Sequence, residues 1–234
     1  MNRIVRFSHV TKVYGTKENR TVALDDVSFE INRGEFVVIL GPSGAGKSTL
    51  LNLLGGMDSA DEGEIWIEEE NITTYTDNQL ADYRAAKIGF VFQFYNLIPT
   101  LNAMENVALM KELVKGAMPA QEALDMVGLS EHRYKFPNQL SGGEQQRVSI
   151  ARAISKKPAL MLCDEPTGAL DTKTGTLVLD QLHKLCRSQQ QTTLIVTHNA
   201  AIAQAADRII YVKNGRIEDI VTQAHPCSFD EVVW

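Results

Sequence analysis

The 234-residue sequence has few cysteines and few prolines, and these scarcities exclude several classes of protein. Its three cysteines, Cys163, Cys186 and Cys227, are odd in number and widely spaced. This pattern fits neither a disulfide framework nor a cysteine metal site, so we expect reduced thiols, with Cys163 packed in an apolar strand. Only 7 prolines and 16 glycines accompany 44% hydrophobic residues. The composition is therefore that of a chain that buries a sizeable core, and it excludes a disordered tail.

The sequence also lacks a long hydrophobic run and an excess of positive charge. The most apolar stretch, Phe36–Leu40, has the length of a strand, whereas about 20 residues are needed to cross a bilayer. Residues 1–6 alternate charged and apolar side chains and do not form the apolar core of a signal peptide. A net charge of −6 argues against a surface that clamps nucleic acid. We therefore expect a soluble protein that is not secreted through a cleaved signal and that has no nucleic-acid partner.

Hydrophobic periodicity predicts a β/α rhythm at both ends of the chain and helices in the middle. We expect strands at 3–10, 21–31, 36–40, 88–92, 159–163 and 192–196, with a polar loop at 13–20. We expect helices at 47–54, 78–86, 102–114, 120–127, 142–155, 175–187 and 199–206. A hairpin around Asn214 and Gly215 joins predicted strands at 209–213 and 217–221. This order indicates one α/β domain that is interrupted by a helical insertion.

A glycine-rich segment follows the buried strand Phe36–Leu40 directly. Residues 41–48 fit the pattern G-x-x-x-x-G-K-[ST] between a predicted strand and a predicted helix. Glycines let successive N–H groups surround a polyphosphate, and the helix N-terminus adds the positive end of its dipole. Lys47 can reach the β- and γ-phosphates, the Ser48 hydroxyl can bind Mg²⁺, and Thr49 can contact a further phosphate. We therefore expect nucleoside triphosphate binding at Gly41, Pro42, Ser43, Gly44, Ala45, Gly46, Lys47, Ser48 and Thr49.

Two adjacent carboxylates, Asp164 and Glu165, end the apolar strand at 159–163. Because ligands gather outside the carboxyl ends of parallel strands, both acids should face the crevice that holds the phosphate loop. Successive strand residues point in opposite directions, so we expect the two acids to have different tasks. We assign Asp164 to the Mg²⁺ shell and Glu165 to the attacking water, as general base or orienting group. Taken alone, the pair could equally be two solvated acids at a strand end.

A third segment, residues 140–147 with the sequence LSGGEQQR, is the most specific feature of the chain. Ser141, Gly142 and Gly143 open a predicted helix and offer a hydroxyl, free N–H groups and a dipole end, which together make a second anion site. With the two motifs above, this segment resembles the signature of the ATP-binding-cassette (ABC) ATPases, and the resemblance covers nearly the whole chain. It implies that two cassettes dock head to tail, with each signature closing on the partner's ATP. Locally, Ser141 is also an ordinary helix N-cap.

Four further positions match the family one by one. Tyr14 resembles the aromatic residue that stacks on adenine, although a lone tyrosine is more often a packing residue. Gln93 resembles the glutamine that touches Mg²⁺ and water and links the site to a partner. Asp171 lies in a segment that resembles the loop crossing the dimer interface. His198 resembles the histidine that contacts the γ-phosphate, and its position at the end of a buried strand favours that role over a structural one.

The resemblance implies a fold and a set of functional residues. The fold is α/β: a P-loop NTPase core of the RecA-like type, with an N-terminal antiparallel β subdomain and an α-helical subdomain inserted at about 94–155, all within one ABC ATPase domain spanning 1–234. Catalytic roles fall on Glu165, His198, Gln93 and Lys47, and Mg²⁺ contacts on Ser48, Gln93 and Asp164. Nucleotide contacts fall on Tyr14 and residues 41–49, and across the dimer on Ser141, Gly142, Gly143 and Asp171. Because every motif is intact, we expect an active ATPase that uses ATP and Mg²⁺.

A single phosphate loop and a single signature imply a partner. We expect a second cassette subunit, most simply another copy of this chain, and separate integral-membrane permease subunits that hold it at the cytoplasmic face of the membrane. The resemblance places the permease contact at residues 94–99, which could instead belong to the core of the helical insertion. Finer resemblance over 20–28, 52–58, 92–101 and 164–171 is to the lipoprotein-release and macrolide-exporter type, which implies export or extraction of peptides, lipoproteins or hydrophobic compounds. The short connection at 115–119 departs from that type.

Two other function classes remain open. A soluble ABC ATPase that acts on ribosomes or DNA usually joins two cassettes in one chain or carries a long coiled-coil insertion, and this sequence has neither. A different phosphate-loop enzyme, such as a kinase or a GTPase, would lack the segment at 140–147. The sequence also lacks the Asn-Lys-x-Asp motif that reads guanine, so we expect ATP as the nucleotide.

Overall fold

Two β-sheets and the helices packed around them make up the described part of the chain, residues 3–16 and 19–232 of a computed structural model. In chain order the strands are β1 (Arg3–Tyr14), β2 (Thr21–Asn32), β3 (Phe36–Leu40), β4 (Glu62–Ile67), β5 (Glu70–Asn71), β6 (Ile88–Val91), β7 (Leu160–Asp164), β8 (Thr192–Thr197), β9 (Arg208–Lys213) and β10 (Arg216–Thr222). The α-helices are α1 (Lys47–Leu54), α2 (Asp77–Lys87), α3 (Ala103–Ala108), α4 (Met110–Leu113), α5 (Ala120–Met126), α6 (Gly142–Ile154) and α7 (Thr172–Gln189). Residues 1–2, residues 17–18 of the predicted polar loop and residues 233–234 lie outside the described residues.

The first sheet is antiparallel and has the strand order β2-β1-β4-β5. Its apolar residues alternate along β2, where Leu24, Val27, Phe29 and Ile31 are buried and the residues between them are more exposed. Phe29 stacks on Phe7 of β1 with ring centroids 4.6 Å apart. One face of this sheet therefore packs into the core, as its period of two residues predicted.

The second sheet has the strand order β10-β9-β3-β8-β7-β6. Strands β9, β3, β8, β7 and β6 run parallel to one another, and β10 adds an antiparallel edge through the hairpin at Asn214 and Gly215. All residues of β3 and β8 are buried, which explains why these strands read as continuous apolar runs. The α/β class and the parallel core sheet predicted from the sequence are confirmed.

Helices α3 to α6 follow β6 in the sequence and precede β7, within residues 94–155. They pack on one another around a buried group of Val107, Ala123, Leu124, Val148 and Ile150. This arrangement accords with an inserted helical segment, while the division of the chain into one domain with these bounds remains a prediction.

Strand β1 runs to Tyr14, into the predicted loop at 13–20, and the short strand β5 was not predicted. Four further elements differ from the sequence prediction. Strand β4 was not expected, because its sequence begins Glu-Gly-Glu and shows no apolar pattern until Ile65; pairing with β1 forms it. The helix predicted at 102–114 is interrupted at Leu109, between α3 and α4. Helix α7 begins three residues before the predicted start because the Asp171 side chain accepts a hydrogen bond from the Thr174 N–H at 3.0 Å and caps it there.

The fourth difference is the helix predicted at 199–206, which is only a 3₁₀ turn at Ile202–Ala205. The Thr197 hydroxyl accepts the Asn199 N–H at 3.1 Å, and Asn199 Oδ1 accepts the Ala201 N–H at 3.0 Å. These local bonds compete with the first helical turn, so the segment stays irregular. The chain leaving β8 is thereby held in a fixed turn next to His198.

The structure shows the environment of the cysteines and the character of the helices. Cys163 and Cys186 are buried, Cys227 is half-buried, and all three thiols are free. Burial raises the pKa of the Cys186 thiol to about 11. Across residues 3–16 and 19–232, no helix combines the length and the apolar character needed to cross a membrane.

The end of the described chain packs onto the core. Phe229, in a 3₁₀ turn at Phe229–Glu231, is 1% exposed. Its ring lies edge-on to Phe36 at the start of β3, with centroids 5.7 Å apart, and to His183 on α7 at 5.6 Å. This contact fixes the segment after β10 against the second sheet.

Candidate active site

Three strands of the second sheet end at the same level and open onto one cleft. Leu40 of β3 pairs with Thr197 of β8, and Asp164 of β7 pairs with Val196. The residues that follow these strands line a cleft of about 720 Å³. Its lining comprises Tyr14, Thr21, Val22, Ala23, Ser43, Gly44, Gly46, Lys47, Ser48, Thr49, Gln93, Asp164, Glu165, Val196 and His198. The cleft lies outside the carboxyl ends of the strands, where ligands of such sheets bind.

The glycine-rich loop turns from β3 into α1 at the floor of this cleft. Gly46 caps α1 with φ of 102°, and a Cβ at this position would lie 2.4 Å from the Ala23 carbonyl oxygen. Only glycine tolerates both constraints. The Lys47 ammonium donates to the carbonyls of Gly41 at 2.8 Å and Pro42 at 2.9 Å, so it is held over the loop. A loop backbone, a helix N-terminus and an ammonium thus converge on one anion-binding position.

Ser48 and Asp164 face each other across the cleft. The Ser48 hydroxyl lies 3.5 Å from Asp164 Oδ1, and the Gln93 side chain lines the same cleft. Burial, and then the charge of Glu165, raises the pKa of Asp164. A half-buried carboxylate beside a hydroxyl and an amide supplies the oxygen ligands that Mg²⁺ prefers, and Mg²⁺ commonly takes one or two carboxylates together with substrate phosphates. The donor set therefore fits this cation.

The backbone conformation of Glu165 places its carboxylate in the cleft. It lies one residue beyond β7 with φ of 46°, and its N–H continues the ladder to the Val196 carbonyl at 2.9 Å. The strand alternation invoked in the sequence analysis therefore does not apply to it. One carboxylate oxygen accepts the Thr197 hydroxyl at 3.1 Å, and the other accepts the His198 N–H at 3.1 Å and faces His198 Nδ1 at 2.8 Å. Asp164 and Glu165 share the cleft but have different partners.

The segment that carries Gln93 is tied to helix α6. A Cβ at Gly168 would lie 2.8 Å from Gln93 Nε2, so the amide sits closely against the turn that follows Glu165. Just before Gln93, the Phe92 carbonyl accepts a hydrogen bond from the buried Gln146 side chain at 3.2 Å. Gln93 is thus placed by contacts from two directions.

The turn after Gln93 is strained and is held by an arginine. Tyr95 and Asn96 have φ of 47° and 50°, which are uncommon for residues other than glycine. Arg152 of α6 donates to the Asn96 carbonyl at 2.7 Å and to the Tyr95 carbonyl at 3.1 Å. Burial lowers the pKa of this guanidinium. The bonds from α6 hold both residues in a conformation that the chain alone would disfavour.

Ser141, Gly142, Gly143 and Asp171 lie outside the residues that line the cleft and share a different surface. Ser141 caps α6 in a reciprocal box with Glu144, whose carboxylate accepts the Ser141 N–H at 2.7 Å. A Cβ on Gly143 would lie 2.1 Å from the Thr174 side chain, so the start of α6 packs on the start of α7, which Asp171 caps. Apart from Gly41, Pro42 and Ala45, which belong to the glycine-rich loop but do not line the cleft, the structure gathers the predicted residues into these two groups.

Sequence reasoning missed some residues of the site. Thr197 hydrogen-bonds to Glu165. The sequence feature that could have identified it is its position between a buried strand and His198. Thr21, Val22 and Ala23 also line the cleft, although nothing in their sequence marks them.

The apolar segment 94–99 is partly exposed and partly buried. Phe94 and Ile98 are exposed, at 73% and 40%, while Leu97 packs against the core.

The sequence and the structure define the class of this protein. Residues 24–168 match the family described as ABC transporter. The chain belongs to this family and is an ATP-binding ATPase. It is 45% identical to an uncharacterized ABC transporter ATP-binding protein of Thermotoga maritima, over 94% of this chain and 96% of that one.

Two other relatives are informative. The macrolide export ATP-binding/permease protein MacB of Aggregatibacter actinomycetemcomitans is 43% identical over 92% of this chain, which spans 34% of that longer protein. The ATP-binding cassette MJ0796 of Methanocaldococcus jannaschii, solved as a dimer in a post-hydrolysis state bound to ADP and Pi, superposes with a TM-score of 0.84 at 43% identity, covering 94% of this chain and 98% of that one.

The electrostatics of Asp164 predict a gain in stability when its charge is removed. A carboxyl whose pKa is higher in the folded than in the unfolded state destabilises the fold above the folded pKa, and this cost is absent below the unfolded value of about 3.9. We expect Asp164→Asn to raise the melting temperature of the nucleotide-free protein by about 2–4 °C at pH 7.5. The gain should shrink as the pH is lowered through the folded pKa toward about 3.9.

The measurement is thermal unfolding by circular dichroism across pH 4–8 in a chelating buffer. The matched control is Glu112→Gln, which neutralises an exposed acid on α4 and should leave the melting temperature unchanged. A melting temperature of Asp164→Asn equal to or below that of the wild type at pH 7.5 would contradict the unfavourable burial of this charge.

Proposed function

We propose that this chain is the ATP-hydrolysing subunit of an ABC transporter or mechanotransmission complex, which closes head to tail with a second copy on ATP and drives separate membrane permease subunits. One observation carries the proposal. The phosphate loop lines the cleft, whereas the second anion-binding element, at residues 141–143, lies on another surface beside Asp171. Because the phosphate loop already serves the nucleotide of this chain, the N-terminus of α6 can bind the nucleotide of another copy. The dimeric state of the MJ0796 cassette supports this arrangement.

Nucleotide binding is assigned to the loop and to Tyr14. The backbone of residues 41–46 and the N-terminus of α1 surround the phosphates, and Thr49 contacts a further phosphate. The Lys47 ammonium exchanges its bonds to the Gly41 and Pro42 carbonyls for bonds to phosphate oxygens. The Tyr14 ring, on the same cleft, stacks on the adenine.

Ser48 and Asp164 would hold Mg²⁺, with Gln93 beside them. When bound, this cation neutralises charge on the phosphate oxygens. The pKa of Asp164 is raised because the protein alone compensates the charge of this carboxylate poorly. Gln93 contacts the water and reports the state of the site to the partner.

Hydrolysis is assigned to Glu165 and His198. The Glu165 carboxylate takes the proton of the attacking water, or orients it, at the oxygen lone pairs that Thr197 and His198 leave free. His198 fixes the carboxylate with its backbone N–H, and its exposed ring reaches the γ-phosphate. The two neighbouring acids thus have separate tasks because their hydrogen-bond partners differ.

Removing the base is the direct test of this assignment. Glu165→Gln keeps the shape of the side chain and an acceptor for Thr197, but it removes the proton acceptor. We expect the rate of phosphate release from ATP to fall about 100-fold or more, with ATP affinity retained. Glu112→Gln, an exposed acid outside the cleft, is the control and should hydrolyse ATP at the wild-type rate. A wild-type rate in Glu165→Gln would refute the role of Glu165.

The head-to-tail dimer has its own test. In the presence of Mg²⁺ and ATP, Glu165→Gln should elute as a dimer in size-exclusion chromatography with light scattering, and as a monomer without ATP. Adding Ser141→Arg should abolish the dimer while leaving nucleotide binding intact, because the new side chain blocks the start of α6. Asn102→Arg is the matched control, because it breaks the equivalent capping box at the start of α3 and leaves Ser141 itself unchanged.

Two outcomes would contradict the dimer. One is a monomer at every ATP concentration in the Glu165→Gln background. The other is an ATP-dependent dimer that tolerates Ser141→Arg as well as it tolerates Asn102→Arg.

The proposed permease contact is the exposed apolar pair Phe94 and Ile98, next to Gln93. Relatedness to MacB, in which a cassette and a permease share one chain, supports export as the work that ATP hydrolysis drives, on the cytoplasmic face of a membrane. Peptides, lipoproteins or hydrophobic compounds are the proposed cargo class.

Affinity purification of the tagged chain from detergent-solubilised native cells tests this partner. We expect an integral-membrane protein to be recovered with the wild type and lost with the Phe94→Asp/Ile98→Asp double variant. Leu177→Asp, at an exposed apolar position on α7, should retain it. Recovery of ribosomes or DNA in place of a membrane protein would support the soluble ABC ATPase and overturn the transport function.

A further inference from the structure

Tyr14 is anchored by a residue far away in the sequence. Its hydroxyl donates to Asp58 Oδ2 at 2.7 Å, and Asp58 follows the glycines that end α1. The other oxygen of Asp58 binds the Lys12 ammonium at 2.6 Å, which also donates to the Ser59 carbonyl at 2.7 Å. A buried cation, a carboxylate and the phenol therefore form one connected group.

Lys12 also lies over the Tyr14 ring. Its ammonium is 5.2 Å from the ring centroid, within the range of a cation–π contact. The Lys12 side chain is 10% exposed and does not line the cleft, whereas Tyr14 is 39% exposed and does. The ammonium therefore covers the face of the ring that is turned into the protein. Thr21, Val22 and Ala23 line the cleft together with Tyr14.

Helix α1 connects this group to the phosphate loop. Its N-terminus holds Lys47 and Ser48, and its C-terminal end leads through Gly55 and Gly56 to Asp58. A helix of eight residues is about 12 Å long and stiff. The Tyr14 phenol also has a hydrogen-bonding contact with the Thr49 side chain in the first turn of α1. The ring is thus tied both to the start of this rigid helix and to the segment that follows its end.

We propose that Asp58 and Lys12 are positioning residues that hold the Tyr14 ring in place for the base of an adenine nucleotide. The inference rests on the proposed function, which assigns Tyr14 to stacking. An aromatic ring that is fixed before binding loses little rotamer freedom when the base arrives, so the anchor strengthens binding without touching the ligand. Burial, and then the hydrogen bond to Asp58, raises the pKa of Tyr14, which keeps the phenol protonated as the donor.

The experiment compares ATP with inorganic tripolyphosphate, which has the phosphates but no base. Dissociation constants are measured by calorimetry on the full chain in a magnesium-free buffer with chelator, so that no hydrolysis occurs. We expect Tyr14→Ala to weaken ATP binding about tenfold or more and to leave tripolyphosphate binding unchanged. Tyr14→Phe and Asp58→Ala should each weaken ATP binding about three- to tenfold, again without an effect on tripolyphosphate.

Two further variants separate positioning from general damage. Asp58→Asn keeps an oxygen acceptor for the phenol and should restore most of the ATP affinity. The double variant Tyr14→Phe/Asp58→Ala should bind ATP no more weakly than Asp58→Ala, because both changes break the same hydrogen bond. Asp61→Asn is the matched control: this acid binds the Val13 N–H and does not touch the phenol, so ATP affinity should be retained.

The outcomes distinguish the inference from the function on which it rests. If Tyr14→Ala binds ATP as tightly as the wild type, the stacking assignment fails. If Tyr14→Ala weakens ATP binding while Tyr14→Phe and Asp58→Ala do not, stacking stands and the anchor is refuted. If Asp58→Ala weakens tripolyphosphate and ATP binding equally, Asp58 supports the fold of the site and the positioning role is refuted.

Discussion

The parallel pairing of β3, β8 and β7 sets the level at which three strands end, and the site depends on that register. Leu40 lies opposite Thr197, and Asp164 lies opposite Val196. The glycine-rich loop, Glu165 and His198 therefore leave the sheet side by side, although more than 100 residues separate the first from the second. Because both faces of these strands are buried, a slip of one residue would exchange the side chains of the two cores. The apolar residues on each face thus fix the register of the strands, and the register determines where the polar residues of the site leave the sheet.

The two acids at this edge show how environment separates neighbouring carboxylates. Asp164 is still part of β7 and is half-buried beside Ser48, and the protein compensates its charge poorly. Glu165 has left the strand with a left-handed backbone, and Thr197 and His198 hydrogen-bond to it. A difference of one position in the chain therefore places two neighbouring carboxylates in different environments, and under the proposed function one of them serves a cation and the other a water molecule.

The sequence was sufficient for those parts of the fold and site that depend on local pattern. The buried strands, the loop at 41–48 and the acids at 164–165 each show their character within a few residues, and the structure brings them into one cleft. The parts that it did not predict depend on distant partners. Strand β4 begins with polar residues and forms through its pairing with β1. The anchor of Tyr14 lies 44 residues away at Asp58, and the turn at 199–201 replaces a helix through the Thr197 and Asn199 side chains.

Helix α6 links the two groups of functional residues. Its N-terminus carries residues 141–143, on the surface away from the cleft, and farther along it Gln146 and Arg152 bind the carbonyls on either side of Gln93. Tyr95 and Asn96 each have a backbone conformation that costs of order 1 kcal/mol, and Arg152 compensates for it by binding both carbonyls. Because these three bonds tie α6 to the chain on both sides of Gln93, a shift of α6 along its axis would move or release the segment of Gln93. Under the proposed function, the start of α6 binds the nucleotide of the partner. A movement of α6 on that binding would also move Gln93, which lines the cleft of this chain. The bonds from α6 to the Gln93 segment therefore give the two ATP sites of a dimer a physical route for coupling.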